Sequence, residues 1–531
     1  MQRYALTVDK FLDHAAKWFS ESEVVEASAG SASARSSYSQ LRERSNCLSG
    51  ALLDLGLQPG ERVGTLAWNT LDHFTVYYAA MGVGLVCHTL NPRLVAEQLA
   101  AMIAEADDRV LAVSGSLLPL WDAVAAKCPS VEHVIVLDDG ANRAGFTPRM
   151  WSIDQLLDQS DREAAWGQFD EDQPAGLCYT SGTTGQPKGV LYTHRSNYLH
   201  TLRLLQADAM AITSRDVVLA AVPMFHANGW GLPFAAPAVG ATLVLPGRHL
   251  DGESLARLMR EQSVTIAIGI QTVWLTVADH LERTGSSLPD LERVIIGGSS
   301  CPESLIRRME RILGARVQTS WGMTELSPLG TIMPAYEESQ DNGSGRPPVG
   351  LDLKLTDAAG NELPQQRGQM GHLRVKGASV VDRYFMADED PLDEDGYFDT
   401  GDLATIDEQG SLTICGRSKD LIKSGGEWIN PAEIEAIVGR DPTVSLVAVI
   451  STPDDKWGER PLLVVQPRAG KDIDAQDLIG SLRGKIADWW IPERIARIAS
   501  MPLAGSGKID KNRLREDFAE GKILTDEIER Q

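Results

Sequence analysis

Residues 179–190 read YTSGTTGQPKGV, and six of the seven positions 180–186 are Ser, Thr or Gly. Small residues let the backbone approach an anion, and successive N–H groups can point at phosphate oxygens. Thr180, Ser181, Thr183 and Thr184 add hydroxyl donors around Gly182, and Lys188 adds a positive charge. The run follows a short apolar stretch, residues 175–178. It differs from the Walker A loop, which needs Gly-Lys followed by Ser or Thr. Here Lys188 follows Pro187 and precedes Gly189. A flexible linker has no need of the ordered Pro-Lys-Gly-Val ending. A phosphate site outside the P-loop fold is the expectation.

Outward from this loop, helical and strand-like segments alternate over the first 330 residues. Residues 62–68 (RVGTLAW) read as a buried strand and 71–81 as the helix after it. The runs 134–139, 217–223 and 241–246 are short and rich in strand formers, each bounded by Gly, Pro or charged residues. Such alternation indicates α/β layers. A loop is expected at 341–350 (DNGSGRPPVG), then short strands at 351–356, 371–376 and 411–415 forming a small antiparallel, barrel-like unit. A further α+β pattern begins near Asp420, with a helix at 431–438, a strand at 444–450 and a helix at 475–486. The fold expected is α/β: a large layered N-terminal domain (1–418) and a small mobile C-terminal domain (419–531).

Composition narrows the classes. The chain has 531 residues and a net charge of −23, which argues against general affinity for nucleic acid or an anionic membrane. Its six cysteines are scattered, with no CxxC pair, which fits a reducing, cytoplasmic setting. The N-terminal segment has apolar residues at helical spacing (Phe11, Leu12, Ala15, Ala16, Phe19) and reads as an amphipathic helix, not a signal peptide. The uncharged stretch 74–92 contains Gly82, Gly84, His88 and Asn91, and a buried helix followed by a strand is expected there instead of a membrane span.

Other short segments combine suitable chemistry. Residues 321–325 (WGMTE) offer an aromatic, a glycine, a hydroxyl and a carboxylate able to hold a hard cation. In YFDTGDL (397–403), Asp402 is a charged acceptor suited to two neighbouring hydroxyls, although DTGD alone passes as a turn. GRSKDLIKSGGEWINPAEIE (416–435) reads as strand, loop and capped helix, and GSGKIDK (505–511) places Lys508 in a glycine-rich loop.

Taken together and in this order, these segments resemble the adenylate-forming superfamily: acyl-CoA synthetases, peptide-synthetase adenylation domains and beetle luciferases. The resemblance spans most of the chain. It implies that Trp321 lies against adenine, Thr324 contacts the α-phosphate and Glu325 helps bind magnesium. It also implies that Asp402 accepts from both ribose hydroxyls and that Arg417 contacts ribose or phosphate. Lys419 falls at the hinge position, and Gly425 and Gly426 at the turn bordering the pantetheine tunnel. Lys508 matches the catalytic lysine, which offsets the repulsion between carboxylate and α-phosphate. Gly297, Gly298 and Ser299, in GGSSCP after the strand-like 294–296, would pass adenine and the edge of the acid pocket. Many relatives carry Tyr at the position of Trp321.

The reaction so implied has two steps. A carboxylate displaces pyrophosphate from magnesium-bound ATP, and the coenzyme A thiol then takes the acyl group from the adenylate. Between them the small domain swings about Lys419, exchanging Lys508 for Gly425 and Gly426. His226, Trp230, Gly298, Gly322, Met323 and Pro328 would line the acyl pocket. No carboxylate occurs between Val217 and Leu250, which disfavours an amino acid, and bulky Trp230 favours a short-to-medium acyl chain. NPRL (91–94), FHANGWGLPF and SGGEWI look like bacterial medium-chain acyl-CoA synthetases, among them the 3-methylmercaptopropionate–CoA ligases. An aryl acid also fits an apolar slot. A carrier protein as acceptor would have to be separate, because 23 residues follow Lys508. A luciferase-like oxygenase finds no added cofactor motif, and a non-catalytic nucleotide-binding regulator would be expected to lose Lys508 or Glu325. The partners expected are the acid, ATP and coenzyme A, with no nucleic acid and no integral membrane segment; a homodimer stays open.

Overall fold

Strands whose residues are all buried dominate the centre of the chain: Val86–Thr89 and Val110–Ser114 expose none of their side chains. Such continuous apolar runs belong to parallel sheets covered on both faces. The computed structural model describes every residue except 29, 139–148, 160–162, 181–186, 299–300, 338–342, 389, 469, 505–508 and 528–531. Two large sheets form the first part. One has seven strands, ordered Arg149–Ser152, His133–Leu137, Val110–Ser114, Arg62–Leu66, Val86–Thr89, Pro174–Tyr179 and Gly189–Thr193. Its last pair is antiparallel and brackets the phosphate-loop segment. The other has eight strands, with Thr242–Leu245, Val217–Ala220, Ile266–Ile270, Arg293–Gly297 and Arg316–Gly322 parallel at its centre.

Helices cover these sheets with local sequence support. Ser37 and Gln40 form a reciprocal capping box on the helix Tyr38–Asp54. Thr70 caps Leu71–Gly82, a helix buried along nearly its whole length, as the uncharged stretch required. Phe11, Leu12 and Ala15 bury the inner face of the N-terminal helix Asp9–Trp18 in the same core. Among the described residues no helix is long and apolar enough to cross a membrane.

A four-stranded antiparallel meander follows: Leu351–Thr356, Met370–Gly377, Phe398–Ile406 and Leu412–Arg417. The DTGD segment lies inside its third strand, where the register shifts between Leu403 and Ala404 and Gly401 takes a φ of 69°. The C-terminal part has its own mixed sheet and its own core around Ile434, Leu463 and Ile495. Asn430 caps its helix Pro431–Val438. The helix expected over 475–486 stops at Gly480, with Gly484 at a φ of 71° soon after. Together these units make a large mixed α/β part with several sheets and a small C-terminal part.

Candidate active site

Three neighbouring parallel strands of the eight-stranded sheet run into Ile270, Gly297 and Gly322, and all three residues line one cavity of about 910 Å³. Ligand sites in α/β folds form at this carboxyl edge. Thr180 and Lys188 line it from the seven-stranded sheet, Arg417, Ser418 and Lys419 from the end of the meander, and Ala504, Ile509 and Asp510 from the C-terminal part. The cavity therefore sits between the two large sheets, the meander and the C-terminal part.

The phosphate-loop segment is pinned at its base. Thr180 N–H donates to the Lys188 carbonyl at 2.9 Å, and Lys188 N–H donates to Thr180 Oγ1 at 3.2 Å. Ser181, Gly182, Thr183 and Thr184 lie outside the described residues, as do Ser299 and Lys508. Ala504 and Ile509, on either side of the 505–508 segment, both line the cavity.

Trp321, Gly322, Met323, Thr324 and Glu325 enter together along one strand end and a short 3₁₀ turn, Thr324–Leu326. Gly322 is required there, because a Cβ would stand 2.2 Å from the Pro328 carbonyl oxygen. Thr324 serves the turn through its backbone, its carbonyl accepting from Tyr192 Oη at 2.8 Å. Burial holds the Glu325 carboxyl above the ordinary carboxylate range, with the Tyr384 hydroxyl, donating at 2.8 Å, acting in the opposite direction.

Asp402 does not line the cavity directly; it stands just behind the lining and is 3% exposed. Arg417 Nε reaches its Oδ1 at 2.8 Å, and Trp321 Nε1 donates to its Oδ2 at 3.0 Å. The aromatic and the carboxylate that the sequence treats as separate features are thus one unit. Arg417 also donates to the Thr400 carbonyl at 3.0 Å.

The segment Ala227–Gly231 forms a tight turn in which every residue has positive φ, from 44° at Ala227 to 78° at Gly231. Left-handed backbone costs a non-glycine residue roughly 1–2 kcal/mol. Asn69 supports the approach to this turn, accepting from Met224 N–H at 2.7 Å and donating to the Ala220 and Val222 carbonyls. The outcome is that His226 and Trp230 both line the cavity, although no ordinary helix joins them. Trp230 lies on the Gly297 backbone: a Cβ there would be 2.8 Å from its ring and from Ser320 Oγ. Gly298, at a φ of 90°, and Pro328 complete the lining on this side.

Lys419 lines the cavity from the short turn Ser418–Asp420, and burial lowers its pKa. Gly425 and Gly426 are not brought to the cavity. They form the turn between Ile422–Ser424 and Glu427–Ile429, with φ of 62° and 94°, and Trp457 packs against Gly425. Sequence reading missed Tyr384, His372 and Ser320. Tyr384 sits in VDRYF without periodicity or a motif, and its link to Glu325 spans 59 residues.

Residues 12–385 match the AMP-binding enzyme family and residues 433–508 the AMP-binding enzyme C-terminal domain. The chain is 41% identical over 529 residues to a 3-methylmercaptopropionyl-CoA ligase of Ruegeria lacuscaerulensis, covering 98% of each chain. It is 40% identical over 535 residues to a medium-chain-fatty-acid–CoA ligase of Ectopseudomonas oleovorans, covering 99% of this chain and 98% of that one. In fold it resembles the crystal structure of an anthranilate CoA ligase in complex with anthranoyl-AMP, with a TM-score of 0.89 at 22% identity over 98% and 99% of the two chains. With Thr180, Lys188, the buried Glu325 and the C-terminal part lining one cavity, the chain belongs to the AMP-binding enzyme family, as an AMP-forming acyl-CoA ligase that uses ATP and coenzyme A and works through an acyl-adenylate.

Proposed function

We propose that the acid is a short-to-medium-chain carboxylic acid, with 3-methylmercaptopropionate in its range. The observation that carries this reading is the seating of Trp230 on the Gly297 backbone, which narrows the acyl side of the cavity. Met210, Met323, Pro328 and Leu329 give that side an apolar lining. No carboxylate between Val217 and Leu250 is available to an α-ammonium group, so amino acids are poor substrates. The names of the two relatives, at about 40% identity, point the same way.

The motif resemblance and the lining of the cavity support the following residue roles. Thr180, Lys188 and the loop between them hold the phosphates through N–H groups and one ammonium. Trp321 flanks adenine, while Asp402 receives the ribose hydroxyls. Thr324 and Arg417 approach the α-phosphate and ribose. Magnesium fits Glu325: the carboxylate is buried at the cavity wall, and among the described residues no group of three or more His, Cys, Asp or Glu forms a protein cage. One or two carboxylates plus nucleotide phosphates is the usual magnesium set. Bound magnesium supplies positive charge to the departing pyrophosphate.

Lys508 provides the cation between the attacking carboxylate and the α-phosphate, and Ala504 and Ile509 at the cavity are consistent with that position. The two domains divide at 418/419, and rotation about Lys419 exchanges Lys508 for the Gly425–Gly426 turn, opening the route for the coenzyme A thiol.

The test is AMP release with ATP, magnesium and a panel of acids, each with and without coenzyme A. Butyrate, hexanoate, octanoate, 3-methylmercaptopropionate, benzoate, cinnamate and several amino acids make the panel. Coenzyme A-dependent turnover centred on the C4–C8 acids and 3-methylmercaptopropionate is expected. Highest kcat/KM for an aryl acid or an amino acid would sink the reading.

A further inference from the structure

The segment 381–385 (VDRYF) belongs to none of the phosphate, ribose or acyl segments, yet its backbone is tied to two of the groups assigned to ATP. Phe385 N–H donates to the Gly189 carbonyl at 2.8 Å, and Tyr384 pairs with Val190, so the segment grips the strand that leaves the phosphate loop. Val381 N–H donates to the Glu325 carbonyl at 2.8 Å, so the same segment grips the turn carrying that carboxylate. The grip on the first side is close: a Cβ on Gly189 would stand 2.9 Å from Phe385 Cβ.

The Tyr384 side chain joins the same two partners. Its hydroxyl donates to Glu325 Oε1 at 2.8 Å, and its ring lies under Lys188 Nζ, 4.7 Å from ammonium to centroid. The phenol is half-buried and lines the ATP cavity. A hydrogen bond to one carboxylate oxygen fixes the plane of the carboxylate and turns the second oxygen in a defined direction. A ring face beneath an ammonium restricts where a flexible lysine rests. Ordering both groups before ligand arrives removes an entropic cost from binding.

We infer that Tyr384 is a positioning residue of the ATP site, setting the Glu325 carboxylate and the Lys188 ammonium relative to each other so that magnesium and the nucleotide phosphates are bound together. The inference rests on the assignment of Glu325 to magnesium and Lys188 to phosphate. The aromatic ring alone holds Lys188, whereas only the hydroxyl orients Glu325. Tyr384→Phe therefore separates the two halves of the role.

The experiment is calorimetric titration of ATP into the parent enzyme, Tyr384→Phe and Glu325→Gln, once in excess magnesium and once in EDTA, with ligand-free Tm recorded for each. Tyr384→Phe should bind MgATP about tenfold more weakly, the order set by one hydrogen bond to a charged group. Its affinity for metal-free ATP and its Tm should stay close to the parent values. Unchanged MgATP affinity, or equal weakening in magnesium and EDTA, overturns the inference, the second outcome marking a packing role. Glu325→Gln distinguishes the two levels of the argument. If that variant keeps the full magnesium enhancement, the metal assignment of Glu325 fails and the inference falls with it. If it loses the enhancement while Tyr384→Phe retains it, only the role of Tyr384 fails.

Discussion

Trp321 and Asp402 are joined by a single hydrogen bond, which couples the two roles proposed for them. The indole N–H occupies Asp402 Oδ2 at 3.0 Å while Arg417 takes Oδ1, so the buried carboxylate is held from both sides. A phenylalanine keeps a ring beside the cavity but cannot donate. Trp321→Phe is expected to raise KM for ATP by about tenfold, the low end for losing one hydrogen bond to a charged acceptor. It should raise KM for 2′-deoxy-ATP much less, because ribose recognition is what the loosened carboxylate loses. Equal effects on the two nucleotides would break the link. Trp230 makes the complementary case on the acyl side. Removing its ring from above Gly297 leaves space along the acyl wall. Trp230→Ala should therefore shift selectivity toward longer chains, raising the dodecanoate-to-hexanoate ratio of kcat/KM by at least tenfold, equivalent to about 1.4 kcal/mol. An unchanged ratio would place the chain-length limit elsewhere.

At the scale of elements, the helix His194–Leu204 holds the turn carrying Thr324 and Glu325 in place. His200 and Arg203 are one turn apart and face the same loop. His200 Nε2 accepts Leu329 N–H at 3.1 Å, and Arg203 Nη2 donates to the carbonyls of Leu329 at 2.9 Å and Leu326 at 3.4 Å. Burial pulls the Arg203 pKa down to about 10, so it remains charged at neutral pH. Arg203→Met removes a donor from both carbonyls, Leu326 keeping only Ser379 Oγ at 3.3 Å, and should lower stability by about 2 kcal/mol in urea unfolding. Pyrophosphate exchange should fall further than stability explains, because Thr324 and Glu325 ride on the same turn; loss of stability with full exchange activity would refute the coupling. Elements also divide by how plainly sequence announces them. The strand at 62–66 is a bounded apolar run, and Asn430–Pro431 marks a helix start. The 475–480 helix was over-extended because apolar spacing continues past Gly480, where the backbone turns away. The strand within 397–403 is masked by its Gly401 irregularity, and the strand Gly458–Pro467 went unread. Motif residues of the site are local in sequence and readable; Tyr384–Glu325 and Trp321–Asp402 are tertiary pairs that no local pattern encodes.

Across the whole molecule, the ten histidines all lie at or before His372, so the proposed C-terminal domain has none. Three of those in the large part are buried as neutral rings. Burial lowers His73 to about 4, His194 to about 3 and His200 well below the ordinary imidazole value. An unfolded chain takes up protons on these rings below about pH 6.5, whereas the folded chain does not until far lower. Depressed folded-state pKa values therefore mean that stability is fully present above pH 6.5 and is lost as pH falls toward 4. His73 and His194 each remove about 1.4 kcal/mol per pH unit across that window, roughly 2 kcal/mol apiece by pH 5, and His200 acts in the same direction. The raised carboxyls of Asp9, Glu26, Asp108 and Glu325 act in the opposite direction, the folded state taking up protons from their raised pKa values down to the unfolded values near 4. We expect the depressed imidazoles to outweigh these carboxyls between about pH 6.5 and 5. Acidification over that interval should thus weaken the large part while leaving the small one nearly unaffected. Hydrogen exchange read segment by segment, corrected for intrinsic rates, is the direct measurement. Protection in Arg62–Leu66 and Val217–Ala220 should fall at pH 5 relative to pH 7, while Gly458–Pro467 keeps its protection. Replacing His194 by Gln should reduce the acid sensitivity of the large part. Uniform loss across both parts would instead assign acid sensitivity to net charge and not to buried imidazoles.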